Sequence, residues 1–288
     1  MFPWKTNIKF KKNDLLNQQI VRKFSLFLLL TGLSACGNNT STQTLTLTGS
    51  STVAPVASEL AKEYEQNHAN VEINVQGGGS SRGIADAKSG VADIGMASRS
   101  LTSEESDLMA HTIARDGVSI IVNSDNPVSS LSNQQIVDIY TDKINNWQEV
   151  GGKNAPITVV HKSAGRATQE VFLNFFQLQP QQVVADTIIG ENEQGIKTVA
   201  GNANAIGYVS IGAAEVHRDN GTAIKLLPLE GIEASSEAVS QGKFPLSRPL
   251  NLVTKGQPTG LAQDFIEFAQ SPQVHDTIQE QYFSPVSQ

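Results

Sequence analysis

Thr44-Leu45-Thr46-Leu47-Thr48-Gly49-Ser50-Ser51-Thr52-Val53-Ala54-Pro55 is the stretch on which the fold turns. Its first half alternates apolar and polar residues with period two, which predicts a half-buried strand. Its second half opens a helical run from Ala54 to Glu65. The first amide groups of a helix lack intrahelical partners and carry a partial positive charge. Serine and threonine at the cap add hydroxyl donors, and Pro55 suits the first turn, where its missing N–H costs nothing. Ser51, Thr52 and Val53 are therefore candidate seats for an oxyanion. Read alone, the same loop also fits an ordinary N-cap.

Two more junctions share this chemistry. The strand Val71-Glu72-Ile73-Asn74-Val75 runs into Gln76-Gly77-Gly78-Gly79-Ser80-Ser81-Arg82-Gly83, then a helical segment, Ile84 to Lys88. Three glycines allow a close backbone approach, and Ser80 stands at the helix start. Lys162-Ser163-Ala164-Gly165-Arg166-Ala167-Thr168 lies between a strand, Ile157 to Val160, and a helix beginning near Gln169. Three strand-to-helix junctions of one kind imply convergence on one small anion.

The chain has 288 residues and a net charge of −7. Its start reads as an export signal: Lys5, Lys9, Lys11, Lys12, Arg22 and Lys23 precede the apolar run Phe24 to Leu33. A mainly apolar run of ten residues suits a signal-peptide core and is too short to span a bilayer. Leu33-Ser34-Ala35-Cys36 resembles the lipobox of bacterial lipoproteins, so residues 1–35 are expected to be removed and Cys36 lipidated. Residues 36–43 form a polar tether. Cys36 is the one cysteine, so no disulfide within the chain is possible. Without residues 1–35 the chain holds 15 basic and 27 acidic residues, a net charge of −12. Bulk charge of that sign disfavours nucleic acid and acidic surfaces, so an anion must be held by locally aimed dipoles and cations.

Strands and helices alternate along the chain, which predicts an α/β fold with largely parallel sheets. Val91 to Ala97 and Gly117 to Val122 read as strands, and Thr102/Ser103 with Glu105 as a capping box opening a helix. Later strands are expected near Ala205–Val209, Ile224–Leu227 and Leu250–Thr254, and closing helices over Gly260–Ala269 and Gln273–Tyr282. Breaks near 123–127 and 246–256 divide the chain into a discontinuous lobe (44–122 with 255–288) and a second lobe (123–254), with a ligand cleft between them.

On these residues the sequence resembles the phosphate-binding proteins that feed bacterial ABC importers, in their compact lipoprotein branch. Ser50-Ser51-Thr52-Val53, Gly79-Ser80-Ser81 and Asp93-Ile94-Gly95-Met96-Ala97-Ser98-Arg99 resemble that family's first three ligand loops. Ile139 to Trp147 with Gly151-Gly152, Ala205 to Val209, and Phe244 to Leu250 resemble family stretches outside the ligand loops. The resemblance implies a two-lobed Venus-flytrap fold of the type II periplasmic-binding-protein kind, with no catalysis and no cofactor. It also implies inorganic phosphate as ligand, permease subunits of an ABC importer as partners, and a monomer facing the periplasm or cell exterior. By position it implies contacts from Ser51, Thr52, Val53, Ser80, Ser98, Ala167 and Thr168. The family commonly has an arginine ahead of a Ser-Gly-Thr turn; those positions here hold Lys162 and Arg166-Ala167-Thr168. Arg166 is expected to take over as the main positive charge, ahead of Lys162. Larger family members carry an aspartate at the position of Ser98, which leaves a sulfate-like oxyanion open as an alternative.

Other readings remain. Gly79-Ser80-Ser81-Arg82-Gly83 matches the G-x-S-x-G nucleophile elbow, with Ser81 as nucleophile and His217 or His275 as base. A sensor or adhesin on the same fold is a third. The five histidines show no paired ligand spacing, so no metal site is expected. Trp147, Phe172, Phe175 and Phe176 read as core, which disfavours a carbohydrate ligand.

Overall fold

The computed structural model describes residues 42–286. The leader 1–35 and Cys36 lie outside the described residues. In chain order the elements are β1 (Gln43–Gly49), α1 (Ala54–Asn67), β2 (Val71–Gly77), α2 (Ser80–Ser89), β3 (Ile94–Ala97), β4 (Met109–Asn123), α3 (Asn133–Tyr140), β5 (Thr158–Lys162), α4 (Ala167–Phe175) and β6 (Thr187–Ile189). There follow α5 (Asn192–Ala200), β7 (Ala205–Ser210), α6 (Ile211–Asp219), β8 (Ile224–Leu226), α7 (Ser236–Ser240), β9 (Ser247–Thr254), α8 (Leu261–Ala269), α9 (His275–Glu280) and β10 (Ser284–Pro285). Gln43, assigned to the tether by composition, is the first residue of β1 and pairs with Val71.

One sheet runs in the order β2-β1-β3-β9-β4-β7-β5-β6, with β8 and β10 attached to β4. The pairs β1–β2, β1–β3, β5–β6 and β5–β7 are parallel, as expected of strand–helix–strand units. The expectation of a largely parallel sheet fails at its centre: β4 pairs antiparallel with β7, β8, β9 and β10, and β3 with β9. A chain that crosses the molecule once and later returns must lay the two crossing strands side by side in opposite directions.

Side-chain alternation sorts the apolar residues into distinct cores. Leu45, Leu47, Ile94, Met96 and Leu252 pack under Leu60 of α1, Phe265 of α8 and Ile278 of α9, while Ile84 of α2 covers the other face beside Val253. In the second half, Ile120, Val122, Ile206 and Tyr208 pack with Ile136 of α3 and Phe172 of α4. Ile121, Val160 and Val209 pack on the opposite face with Ile196 and Val199 of α5. β4 passes from the first set of cores to the second between Ala114 and Val118, and the chain passes back between Leu246, just before β9, and Leu250 within it. At that crossing Asp116 stands directly opposite Arg248.

Two elements differ from expectation. Thr102 and Glu105 do form a capping box, but it closes only a single 3-10 turn, Ser103–Glu105. No periodic apolar face follows to carry a helix, and the chain enters β4 instead. The strand expected over Gly117–Val122 extends back to Met109, where pairing with β9 supplies the missing hydrogen bonds.

Candidate anion-binding site

The hydroxyl wall of the site exists because α2 lies unusually close to the ends of β1 and β3. A Cβ on Gly83 would stand 2.4 Å from the Thr48 carbonyl oxygen and 2.7 Å from the Gly49 Cα. Only bare glycines permit that approach. It brings three serines from three loops together: Ser50 Oγ donates to Ser98 Oγ at 2.9 Å, and Ser80 Oγ lies 3.5 Å from the same atom. The Ser98 amide donates to Ser80 Oγ at 3.1 Å. The amides of Thr52 and Val53 point at Ser50 Oγ, at 3.2 and 3.3 Å. Bonds of that length lie at the weak end for N–H···O and are readily exchanged for a charged acceptor.

The opposite wall is charged. Lys162, at the end of β5, is 1% exposed, and its Nζ donates to Asn192 Oδ1 at 2.9 Å. Asn192 Nδ2 in turn donates to Thr52 Oγ1 at 3.1 Å. Burial pushes the Lys162 ammonium down to about 7, helped by the neighbouring Arg248 and opposed by the Glu191 carboxylate. Beneath it, desolvation lowers His161 to about 4, so that ring is neutral where it meets Tyr208 and Gln169.

Arg248 joins the two halves of the site. Its Nη1 donates to Thr168 Oγ1 at 2.8 Å and its Nη2 to Thr52 Oγ1 at 3.2 Å. Its other face is held by Asp116, with Nε and Nη2 at 3.1 and 2.8 Å from Oδ2. Both side chains are 1% exposed. The Asp116 carboxylate also accepts from the Gly212 amide at 3.3 Å, so its charge is fully occupied.

The structure thus brings together Thr52, Val53, Ser80, Ser98, Lys162, Ala167 and Thr168, all buried. Ser51 is half-buried at the edge. Arg166 turns aside: its Nη1 meets Glu191 Oε1 at 2.5 Å, with the side chain 19% exposed. Arg248, read from the sequence as outside the ligand loops, is instead at the centre of the cluster. Sequence reasoning also passed over Asp116 and Asn192. Nothing local matches Asp116 to Arg248, 132 residues further on.

Around the mouth, Arg99 Nε lies 2.6 Å from Glu170 Oε2, and Ser81 Oγ donates to Glu170 Oε1 at 3.2 Å. Ser81 bonds a carboxylate rather than an imidazole, while His217 Nε2 pairs with Glu193 at 2.7 Å. Among the described residues neither His217 nor His275 is hydrogen-bonded to Ser81, so the nucleophile-elbow reading lacks its base.

A model of the PBP superfamily domain matches residues 35–273. The chain belongs to that superfamily. Its PstS-like character follows from individual relatives. A Clostridium perfringens protein described as a phosphate ABC transporter substrate-binding protein, solved with bound phosphate, is 33% identical with a TM-score of 0.79. The alignment covers 85% of this chain and all of that one. An ABC-type phosphate transport receptor from Vibrio cholerae is 32% identical, with a TM-score of 0.69 over 85% of this chain and all of that one. The phosphate-binding protein PstS of Bacillus subtilis is 29% identical over 262 residues, 88% of this chain and 84% of that one. The mixed sheet with helices on both faces is accordingly the type II periplasmic-binding-protein fold expected from the sequence.

Proposed function

We propose that this protein captures inorganic phosphate outside the cytoplasm and delivers it to an ABC importer. The observation that carries the reading is Arg248, a buried guanidinium bonded at once to the hydroxyls of Thr52 and Thr168 and standing beside Lys162. One fixed cation, one ammonium that titrates near neutrality, and hydroxyls from Thr52, Ser80 and Thr168 make a donor set matched to a tetrahedral dianion. The relatives named as phosphate-binding proteins, and the one solved with phosphate, support the same ligand. Such a protein holds and releases its solute unchanged; it is not an enzyme.

In this reading Arg248 and Lys162, rather than Arg166, face the anion, and the amides of Val53 and Ala167 turn toward it. The two sets of cores act as lobes that close about the crossing of β4 and β9, with the Asp116–Arg248 pair at the pivot. Residues 1–35 are removed on export and Cys36 carries the lipid that holds the protein at the membrane, where the permease subunits are its partners. Among the described residues no helix is long and apolar enough to cross a membrane.

Calorimetric titration of protein stripped of bound solute, with phosphate and with sulfate at neutral pH, tests the ligand. Tight phosphate binding is expected. A preference for sulfate, or no heat from phosphate, would overturn the assignment.

A further inference from the structure

Asn192, the first residue of α5, is buried between the charged wall of the site and the hydroxyl wall. Lys162 Nζ donates to its Oδ1 at 2.9 Å, and its Nδ2 donates to Thr52 Oγ1 at 3.1 Å. Chemistry fixes the amide's orientation: an ammonium offers only donors, so it must face the oxygen, which leaves the nitrogen for Thr52. Thr52 Oγ1 also accepts from Arg248 Nη2 at 3.2 Å. Two accepted bonds occupy both lone pairs of that hydroxyl, so toward an anion it can only donate.

The side chain that accepts from Lys162 is thus a neutral amide, where a carboxylate of the same shape would fit. The charged groups around the ammonium do not replace that missing charge. Arg248 of β9 and Arg166, just before α4, disfavour it. Glu191, just before α5, favours it, but that carboxylate is already paired with Arg166. Asp116 of β4 is taken up by Arg248 and the Gly212 amide. His161 of β5 is neutral and bonded to Tyr208 of β7, whose phenol burial keeps protonated. Burial therefore leaves Lys162 titrating at about 7 with its ammonium held in place but not matched in charge.

Resting on the phosphate reading, we infer that Asn192 is a positioning residue for capture: it aims the Lys162 ammonium at the anion without supplying a countercharge, so the arriving phosphate itself draws a solvent proton onto the lysine. Capture is then coupled to pH. Above about pH 7 the lysine must be recharged on binding, so affinity falls by up to about tenfold per pH unit.

The test is calorimetric titration of the parent, Asn192→Asp and Asn192→Leu with inorganic phosphate, from about pH 6.5 to 8.5, in buffers of different ionisation enthalpy. Phosphate's own ionisation is common to all three proteins and cancels in the differences. In Asn192→Asp the new carboxylate keeps Lys162 charged before phosphate arrives. Proton uptake at pH 8 should fall by about half or more, and the loss of affinity with pH should flatten. In Asn192→Leu the ammonium loses its acceptor, so uptake at pH 7 should exceed the parent's. Either variant alone reads the inference if the other melts early, because the two move the uptake in opposite directions. A residue that merely supports the fold would move neither. Variants with the parent's uptake and pH profile overturn this inference alone, as does a parent that binds phosphate tightly with no proton uptake at pH 8. Absence of phosphate binding by the parent overturns the phosphate reading itself.

Discussion

Arg248 and Arg166 both sit beside segments that bear on the anion site, yet their surroundings are opposite. Arg248 is 1% exposed, paired with Asp116 across two strands, and bonded to hydroxyls from both halves of the molecule. Arg166 is at the mouth, where Glu191 cancels its charge. A solvent-exposed pair contributes about 0–1 kcal/mol and a half-buried one such as Arg166–Glu191 somewhat more, whereas separating a fully buried pair costs about 3–5 kcal/mol. Proximity to a loop in sequence therefore says little about which cation an anion meets. Burial and prior partners decide it.

The strongest way to break this comparison is Arg248→Met. It strands the Asp116 carboxylate in a dry interior, so stability should fall by about 3–5 kcal/mol and phosphate binding should vanish. Because the single variant can fail for stability alone, Arg248→Met/Asp116→Leu separates the effects. Exchanging a buried pair for apolar residues is often neutral, so denaturant melts should recover while calorimetry still finds no phosphate binding. Binding retained by the double variant would remove Arg248 from the site.

Lys162→Met comes next. Loss of one charged donor should weaken phosphate by roughly ten- to a hundredfold. The stability effect has the opposite sign. The Lys162 pKa is about 7 in the fold, against an ordinary 10.5, so the unfolded chain binds the extra proton between those values. Stability of the solute-free protein should then rise with pH across that window, by about 1.4 kcal/mol per unit at most from this group. Below about pH 7 the penalty is constant. Melts from pH 6 to 9 should show the slope in the parent and lose it in Lys162→Met. Phosphate recharges Lys162, so binding at pH 8 should take up a proton, visible as a buffer-dependent heat.

How much of this was legible follows from sequence distance. The α1 junction was readable because its serines, threonine and proline act within one turn. Its convergence with Ser80 and Ser98 was readable from the repeated chemistry of the loops. Arg248 was not, because its partner Asp116 lies 132 residues away and only the antiparallel crossing of β4 and β9 sets them opposite. The same crossing explains the missed antiparallel centre of the sheet. β4 was half-seen because His111, Arg115 and Asp116 interrupt its apolar run; His111 meets Thr254 and Asp116 meets Arg248, both of β9, while Arg115 is exposed. Asn192 carried no local signal, since an asparagine at a helix start ordinarily reads as a cap.

Arg166→Ala sharpens the comparison from the other side. With its charge already matched by Glu191 in a half-buried pair, its loss should weaken phosphate by less than about fivefold, little more than a surface ion pair contributes. The sequence expectation put this residue ahead of Lys162. Calorimetry on both variants ranks them directly, and a larger loss from Arg166→Ala would restore that order.

The smallest effect is expected at the Arg99–Glu170 contact, which ties the loop after β3 to the first turns of α4. Glu170 bonds Ser81 as well, so one carboxylate links two loops of the first half to the second. Glu170→Gln keeps an acceptor for Ser81 and removes only the charge that Arg99 meets. Arg99 retains Glu105, whose carboxyl its hydrogen bonds hold down at about 2, so the arginine stays in place. If the contact only latches the closed form, the change should appear in release: phosphate dissociates about two- to fivefold faster while association is unchanged. High salt should shrink the difference, because the Debye length falls to about 3 Å at 1 M. Stopped-flow measurement of both rates decides it. A slower association in Glu170→Gln would place this carboxylate on the path of the entering anion rather than in the latch.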